Sequence, residues 1–265
     1  GYLTPMLVDS HCHLDFPAFA DDLDGAVARA RAAGVGTMLT IGTKLSAFAG
    51  VRAAAAAYEG IYCSVGIHPH EAEAEPDVQA AQLLAYKDDP KIVAFGETGL
   101  DYYRTRDDEG KRLQKHSFAA HLAWAREHDL AVVVHDRDAH ADILDVLDAE
   151  GVPDRFMMHC FSGDADFARR CLDRGAWLSF PGTVTFKPNH ALREAFDVTP
   201  DDRLLVETDA PYLTPVPLRG KPNASYLLPH TVRFLAERRG AELATFCGLL
   251  AANASALFGD WGDDG

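Results

Sequence analysis

The sequence predicts a single-domain α/β protein, a (β/α)₈ TIM barrel, on three observations. Short apolar runs alternate eight times with helix-forming stretches within 265 residues, as a closed parallel barrel requires. The runs are continuously apolar rather than alternating, the pattern of strands buried on both faces. His and acidic residues recur at the downstream ends of these runs, where barrels of this type carry their sites.

Strands are predicted at 6–10, 37–42, 61–67, 92–97, 131–135, 155–160, 177–181 and 204–208. Between them, stretches such as DDLDGAVARARAAG, LSAFAGVRAAAAAYEG, EGKRLQKHSFAAHLAWAREHDL and HADILDVLDAEG are rich in strong helix formers. Gly in AGV, EGI, EGV and RGA supplies helix stops before the next strand. An open doubly wound sheet is the alternative, but it usually carries a Gly-rich phosphate turn after its first strand. Here that turn reads SHCHLDF, and neither GxGxxG nor GxxxxGK followed by Ser or Thr occurs. No domain boundary is visible across 1–265. The Pro-rich stretch APYLTPVPLRGKPN at 210–223 reads as a long loop over the barrel mouth, and the closing GDWGDDG as a frayed end.

Composition sets the class. The chain is 48% hydrophobic and 25% charged, ordinary for a soluble globular protein. No apolar run is long enough to cross a membrane, and GYLTPM has no basic segment leading into a hydrophobic stretch, so no signal peptide is expected. Cys12, Cys63 and Cys160 lie in apolar runs, and no CxxC pair occurs among the five cysteines. They read as small core residues of a reduced, cytoplasmic protein, expected as a monomer. Cys12 and Cys160 adjoin candidate His ligands, but strand alternation turns Cys12 away from His11 and His13. A net charge of −15 excludes a broad basic surface gripping duplex nucleic acid. It leaves room for a phosphate substrate, because bound cations make a cleft locally positive.

Six residues carry the chemistry: His11, His13, Glu97, His135, His159 and Asp209. They end the runs LVDSHCH, IVAFGETGLD, AVVVHD, RFMMHC and LLVETDAP. One such His is usually structural; four with two acids suit divalent cations such as Zn, Mn, Ni or Mg. Period-two geometry puts His11 and His13 on one side of their strand. Six ligands exceed one tetrahedral ion and suit two. His11, His13 and Asp209 are assigned to one, His135 and His159 to the other, with Glu97 bridging. Such a pair clamps the oxygens of an in-line displacement, and Asp209 is a candidate general base. In GIHPH, His68 is read as a donor to a substrate oxyanion or phosphate. His70 is left open between that role and a stiff surface turn. Arg104, Arg106, Arg137, Lys187, Arg219 and Lys221 form a prospective phosphate collar. Tyr102, Tyr103, Phe161, Phe186 and Tyr212 are either packing residues or stacking platforms for bases.

These segments resemble the TatD family of metal-dependent deoxyribonucleases, within the amidohydrolase-like barrels. The matches are DSHCHLD, GIHPH, GETGLDYYR, VVVHDRDA, HCFSG, LLVETDAPYL and NASALFG, spread nearly end to end. The resemblance implies a (β/α)₈ barrel, two divalent metal ions, and hydrolysis of nucleic-acid phosphodiesters, including 3′→5′ exonuclease action on single-stranded DNA. It implies the ligand roles above and a phosphate role for His68. The chain departs from the family where RGKPN is followed by Ala224 and Ser225 instead of Glu-Pro. It departs again at Asp136, where Ser or Cys is common. The alternative is an amidohydrolase-type ester or C–N hydrolase, for example an aminoacyl-tRNA ester deacylase. Glu97 at the bridging strand, where many such enzymes use a modified Lys, argues for the phosphodiesterase. A metal-floored concave mouth also favours single-stranded ends over a stiff duplex about 20 Å wide.

Overall fold

The computed structural model describes residues 7–75, 80–259 and 261. Eight parallel strands run in sequence order around one sheet: β1 (Leu7–Cys12), β2 (Val35–Thr40), β3 (Ile61–Val65), β4 (Ile92–Asp101), β5 (Ala131–Arg137), β6 (Phe156–Met158), β7 (Trp177–Phe180) and β8 (Leu204–Val206). The helices between and after them are α1 (Leu23–Ala32), α2 (Phe48–Ala56), α3 (Pro69–Ala72), α4 (Ala80–Leu84), α5 (Asp108–His128), α6 (His140–Glu150), α7 (Ala165–Asp173), α8 (His190–Val198), α9 (Leu228–Arg239) and α10 (Leu243–Phe258). Sequential parallel order is that of the (β/α)₈ barrel and removes the doubly wound alternative. Among the described residues, no single helix is long and apolar enough to cross a membrane.

The helices start and stop where side-chain chemistry places them. Asp22, Asp107 and Asp164 cap α1, α5 and α7 by accepting from the backbone N–H groups of Gly25, Gly110 and Phe167. Gly34, Gly60, Gly151 and Gly175 all have positive φ, as expected for stops before a strand. Alternation then sorts the strand residues. Ala131 and Val133 share a side with His135, Met157 with His159, and Leu205 with Glu207. These apolar residues belong to a small cluster inside the barrel, closed from below by Leu257, Phe258 and Trp261. Val132, Val134, Phe156, Met158, Leu204 and Val206 face the helices in the larger cluster.

Three expectations need correction. The strands differ from their predicted ranges, most of all β4, which continues past Glu97 to Asp101 because its ladder with β5 runs to Asp101 opposite Arg137. Glu97 therefore lies inside a strand. Met6, the predicted start of the first strand, lies outside the described residues, as do residues 260 and 262–265 of the closing segment. Trp261 in that segment is not frayed: it stacks on Phe258 at 4.7 Å and packs against Tyr62 at 5.1 Å between ring centroids. Its indole fills the barrel base. Cys160, expected in the core, has φ +46° and turns its residue into the cleft lining. Cys12 does point away from the imidazoles, with its thiol on the carbonyl of Leu39 at 3.4 Å.

β1 and β8 are joined beyond the end of β8, where Asp209 N–H donates to the His11 carbonyl and His13 N–H to that of Ala210, both at 2.9 Å. The fully buried carboxylate of Asp9 reinforces this seam. It accepts from Thr208 N–H (2.9 Å), Thr208 Oγ1 (2.5 Å), Ser225 Oγ (2.7 Å) and His11 N–H (3.3 Å). Burial nevertheless pushes its pKa up to about 6 against those donors. Ser225, at one of the departures from the family pattern, thus ties the mouth loop to the seam. Asp9→Ala strands several buried donors and is expected to lower unfolding stability by roughly 3–5 kcal/mol. Ser225→Ala removes one bond and is expected to cost about 1 kcal/mol; urea titration of both variants measures the difference.

Candidate metal centre and active site

The floor of the site is assembled around Glu97. Gly66 and Gly96 let the third and fourth strands approach there: a Cβ on Gly66 would lie 2.6 Å from the Gly96 Cα. Gly96 itself has φ +133°, and a Cβ on it would lie 2.6 Å from the Val133 carbonyl oxygen. Glu97 N–H then donates to the Gly42 carbonyl (2.9 Å), which fixes the residue in place. Its two oxygens face different partners. Oε2 lies 3.5 Å from His11 Nε2, while Oε1 lies 2.9 Å from His159 Nε2 and 3.0 Å from His135 Nδ1. On the Oε2 side, Asp209 Oδ1 is 3.4 Å from His11 Nε2 and 3.3 Å from His13 Nε2. All six predicted residues are brought together.

The donor set fits divalent cations. Both nitrogens of His11 and Nδ1 of His13 are buried without a hydrogen-bond partner, an arrangement that burial penalises unless something is bound. Ligand atoms about 2.1 Å from a cation lie roughly 3.0–3.4 Å from one another. Asp209 Oδ1 has this spacing to both His11 Nε2 and His13 Nε2. His11, His13 and Glu97 offer ligand atoms within 4.8 Å of one another, as do His68, Glu97 and His135, and His11, His159 and Glu207.

Three supporting acids stand outside the six predicted ligands. Glu207 Oε2 meets His159 Nδ1 at 2.9 Å, and Oε1 accepts from Cys160 N–H at 2.9 Å. Asp101 Oδ2 lies 3.0 Å from His135 Nε2 and 3.3 Å from His70 Nε2. The third is Asp9 at the seam. Period-two alternation links Glu207 to Asp209 and Asp101 to Glu97, the signal by which both acids are recognisable in sequence. Cys160 and Asp209 both have left-handed φ, +46° and +54°, at a cost of roughly 1–2 kcal/mol each. Their N–H bonds to Glu207 and His11 hold them there.

Protonation follows these contacts. Burial alone would raise the Glu97 pKa, but His159, His11 and His68 hold it well below the ordinary carboxylate range. Burial works against charge on His135, yet Asp101 and Glu97 lift its pKa to about 9. Glu207 and Glu97 outweigh burial at His159 and raise it, and Asp209 does so at His13. His11 moves down through burial and the neighbouring His159, whose ring stacks on it at 3.6 Å. Asp209, partly enclosed at the cleft floor, is pushed up by desolvation but lowered overall by His13, His11 and His159.

His68 is placed for a different task. Burial lowers its pKa to about 3, so the ring is neutral. His70 N–H donates to its Nδ1 at 3.1 Å, leaving the proton on Nε2. That nitrogen, 3.8 Å from Glu97 Oε1, is a donor directed at the floor. His70 joins Asp101 to the same turn. Above the floor is a cleft of about 720 Å³, lined among others by Arg104, Arg137, Phe186, Tyr212 and Leu213. The mouth loop at 210–223 contributes to this lining as expected. Arg137 stacks on the Tyr103 ring at 3.8 Å and Arg219 on Phe186 at 3.9 Å. Lys221, Lys187, Arg106 and Arg219 do not line the cleft. Lys221 is exposed, with its backbone tied to Leu218 and Thr214. Asp136 lines the cleft, but its carboxylate is engaged by Ala139 N–H and by His140 Nδ1 at 2.5 Å.

Imidazoles and carboxylates converging at the C-terminal mouth of a parallel barrel define a metal-dependent hydrolase. The family model described as TatD related DNase matches residues 8–259, and the chain belongs to that family. It is 42% identical over 261 residues to an uncharacterized metal-dependent hydrolase TatD of Mycobacterium tuberculosis, covering 96% of this chain and 98% of that one. It is 40% identical over 247 residues to a protein of Cronobacter sakazakii named 3′-5′ ssDNA/RNA exonuclease TatD, covering 91% and 93%. The crystal structure of the TatD homologue YJJV from Escherichia coli superposes with a TM-score of 0.88 at 32% identity, covering 95% of this chain and 97% of that one.

The high pKa of His135 gives metal uptake a pH dependence. Its folded pKa of about 9 lies above the ordinary 6.5. In metal-free protein its charged form contributes stability that is fully present below pH 6.5 and lost as pH rises through about 9. A cation must displace that proton. Uptake near neutral pH is expected to release about one proton or more per molecule, with affinity rising toward higher pH. Calorimetry in buffers of different ionisation enthalpy counts the protons; no release would mean that His135 is neutral in the free protein.

Proposed function

We propose that this chain hydrolyses phosphodiester bonds of nucleic acid, working from single-stranded DNA ends in the 3′→5′ direction. The observation that carries the reading is the two-sided Glu97 carboxylate, which divides the floor into two ligand nests. His11, His13 and Asp209 would hold one divalent cation and His135 with His159 the other, with Glu97 shared; Mg²⁺, Mn²⁺ and Zn²⁺ suit these ligands, and Ni²⁺ is a further fit. Bound there, the cations would activate water and neutralise charge on the phosphate. Asp209 Oδ1 and Oδ2 form the carboxylate that receives the proton of the attacking water. Its side chain is 15% exposed, against 4% for Glu97, so it can meet that water. His68 Nε2–H donates to a non-bridging phosphate oxygen, and Arg104 and Arg137 hold neighbouring phosphates at the cleft wall.

Strand preference rests on the cleft. Its floor is recessed, and a duplex presents its phosphates on the outside of a stiff rod. A single-stranded end can enter and stack on Tyr212 or Phe186. The name of the Cronobacter sakazakii relative supports the polarity and the substrate. The absence of Lys among the described residues lining the cleft favours phosphodiesters over the amide or ester chemistry of barrels that bridge their cations with lysine.

Labelled single strand, blunt duplex and closed circular single strand compared with and without chelator test the reading. Degradation of the linear single strand alone, abolished by chelator, is expected. Rapid cutting of the circle would refute end dependence, and full activity in chelator would refute metal dependence. Glu97→Ala is expected to lower turnover by roughly a thousandfold or more in a folded protein. Arg104→Ala and Arg137→Ala should mainly raise KM for oligonucleotides, leaving a small activated phosphodiester almost unaffected.

A further inference from the structure

His121 is a fully buried imidazole on α5, away from the cleft lining and from all the ligands above. Its Nδ1 lies 2.7 Å from the Ser117 carbonyl oxygen, one turn back on the same helix. A carbonyl only accepts, so Nδ1 carries the proton. Nε2 of the neutral ring therefore has only a lone pair to offer. Ile67 N–H donates to it at 3.1 Å. Burial keeps the ring neutral, with a pKa of about 4. Both hydrogen-bonding atoms of His121 are thus committed, one to its own helix and one to the third-strand turn.

That turn is the one that presents His68. Ile67 and His68 are adjacent, and Ile67 is fully buried. His68 N–H donates to the Thr43 carbonyl at 2.8 Å. The His68 carbonyl accepts from Glu71 and Ala72 N–H at 2.9 and 3.0 Å. Its Nδ1 accepts from His70 N–H. Each bond fixes the turn from one side: Thr43 from the second strand's loop, α3 from ahead, and His121 from α5 behind. Of these backbone bonds, the last is the one made to a side chain outside the turn, while Asp101 reaches the turn only through the His70 ring; Ile67 N–H has no other acceptor in the hydrogen bonds of the described residues.

We propose that His121 is a positioning residue for the reaction: by accepting from Ile67 N–H it locks the third-strand turn in the arrangement that leaves the His68 proton on Nε2, directed at Glu97 and the cleft floor. The assignment of His68 as a donor to the substrate rests on the proposed hydrolysis, while the hydrogen-bond relay itself does not. Replacing His121 by an apolar side chain leaves Ile67 N–H buried and unpaired. The turn then has reason to rotate toward water, and His68 with it. Gln can reproduce both bonds, its amide oxygen facing Ile67 and its N–H facing Ser117.

Two measurements separate the relay from the reaction. Nitrogen-detected imidazole spectra of the metal-free wild-type protein read the tautomers directly. His121 is expected protonated on Nδ1 and His68 on Nε2; the opposite tautomer at either residue overturns the proposal, whether or not any variant folds. Kinetics on a single-stranded oligonucleotide then compare His121→Met with His121→Gln. Loss of an orienting bond behind a reacting group typically lowers activity roughly ten- to a hundredfold. His121→Met is expected to lose kcat by about that factor with KM nearly unchanged and metal content intact, and His121→Gln to recover most of it. Equal kcat in wild type and His121→Met, or no recovery in a folded His121→Gln, overturns the proposal. If no nucleic acid is cleaved by wild type, the proposed substrate fails, and the tautomer spectra still decide the relay.

Discussion

A single buried carboxylate constrains the rest of this molecule. Glu97 is within 4 Å of four imidazoles, those of His11, His68, His135 and His159. Such a group is tolerated in a protein interior only if its charge is answered. The strands around it answer it from several directions, and their ends must reach one point to do so. Barrel closure, the tight approach of Gly66 to Gly96 and the left-handed turns at Cys160 and Asp209 all serve that convergence. Outside the ligands, Asp101 and Glu207 neutralise and orient imidazoles that would otherwise repel one another across the floor.

Much of this was legible in the sequence. Continuous apolar runs revealed strands buried on both faces, and their number and alternation with helices gave the barrel. The ligand residues stood out because His and carboxylate are rare at the ends of such runs. Less legible were residues whose meaning depends on a partner distant in sequence. Asp9 looks like an ordinary acid ahead of an HxH pair, until Thr208 and Ser225 are seen to donate to it. His121 lies in a helix of amphipathic pattern, where nothing local distinguishes a hydrogen-bonded core histidine from a surface one. Strand ends were misplaced for a similar reason. A strand stops where its ladder stops, which the neighbouring strand decides, and β4 runs on because β5 does.

The rim shows how charge type and location part company. Six cations stand around the mouth, five on loops and Arg137 at the end of β5, but of these only Arg104 and Arg137 line the cleft. Arg137 and Arg219 lie flat on aromatic rings, which restrains long side chains that would otherwise sample many rotamers. On a protein of net charge −15, cations restrained near the mouth give the surface a local polarity that its total charge conceals.

The seam carries a consequence for synthesis. Asp9 bonds Thr208 across 199 positions and Ser225 across 216. The floor takes its ligands from residue 11 through residue 209. A ribosome releases residues in order, so the first half of the ligand set leaves the tunnel long before its partners exist. Contacts of this range form late and slowly. A nascent chain can expose His11 and His13 but cannot enclose them, and any cation they meet is held by solvent-exposed side chains alone. The floor comes into being only when the last strand closes the circle, so the ligand set stays incomplete until Asp209 has been made and placed.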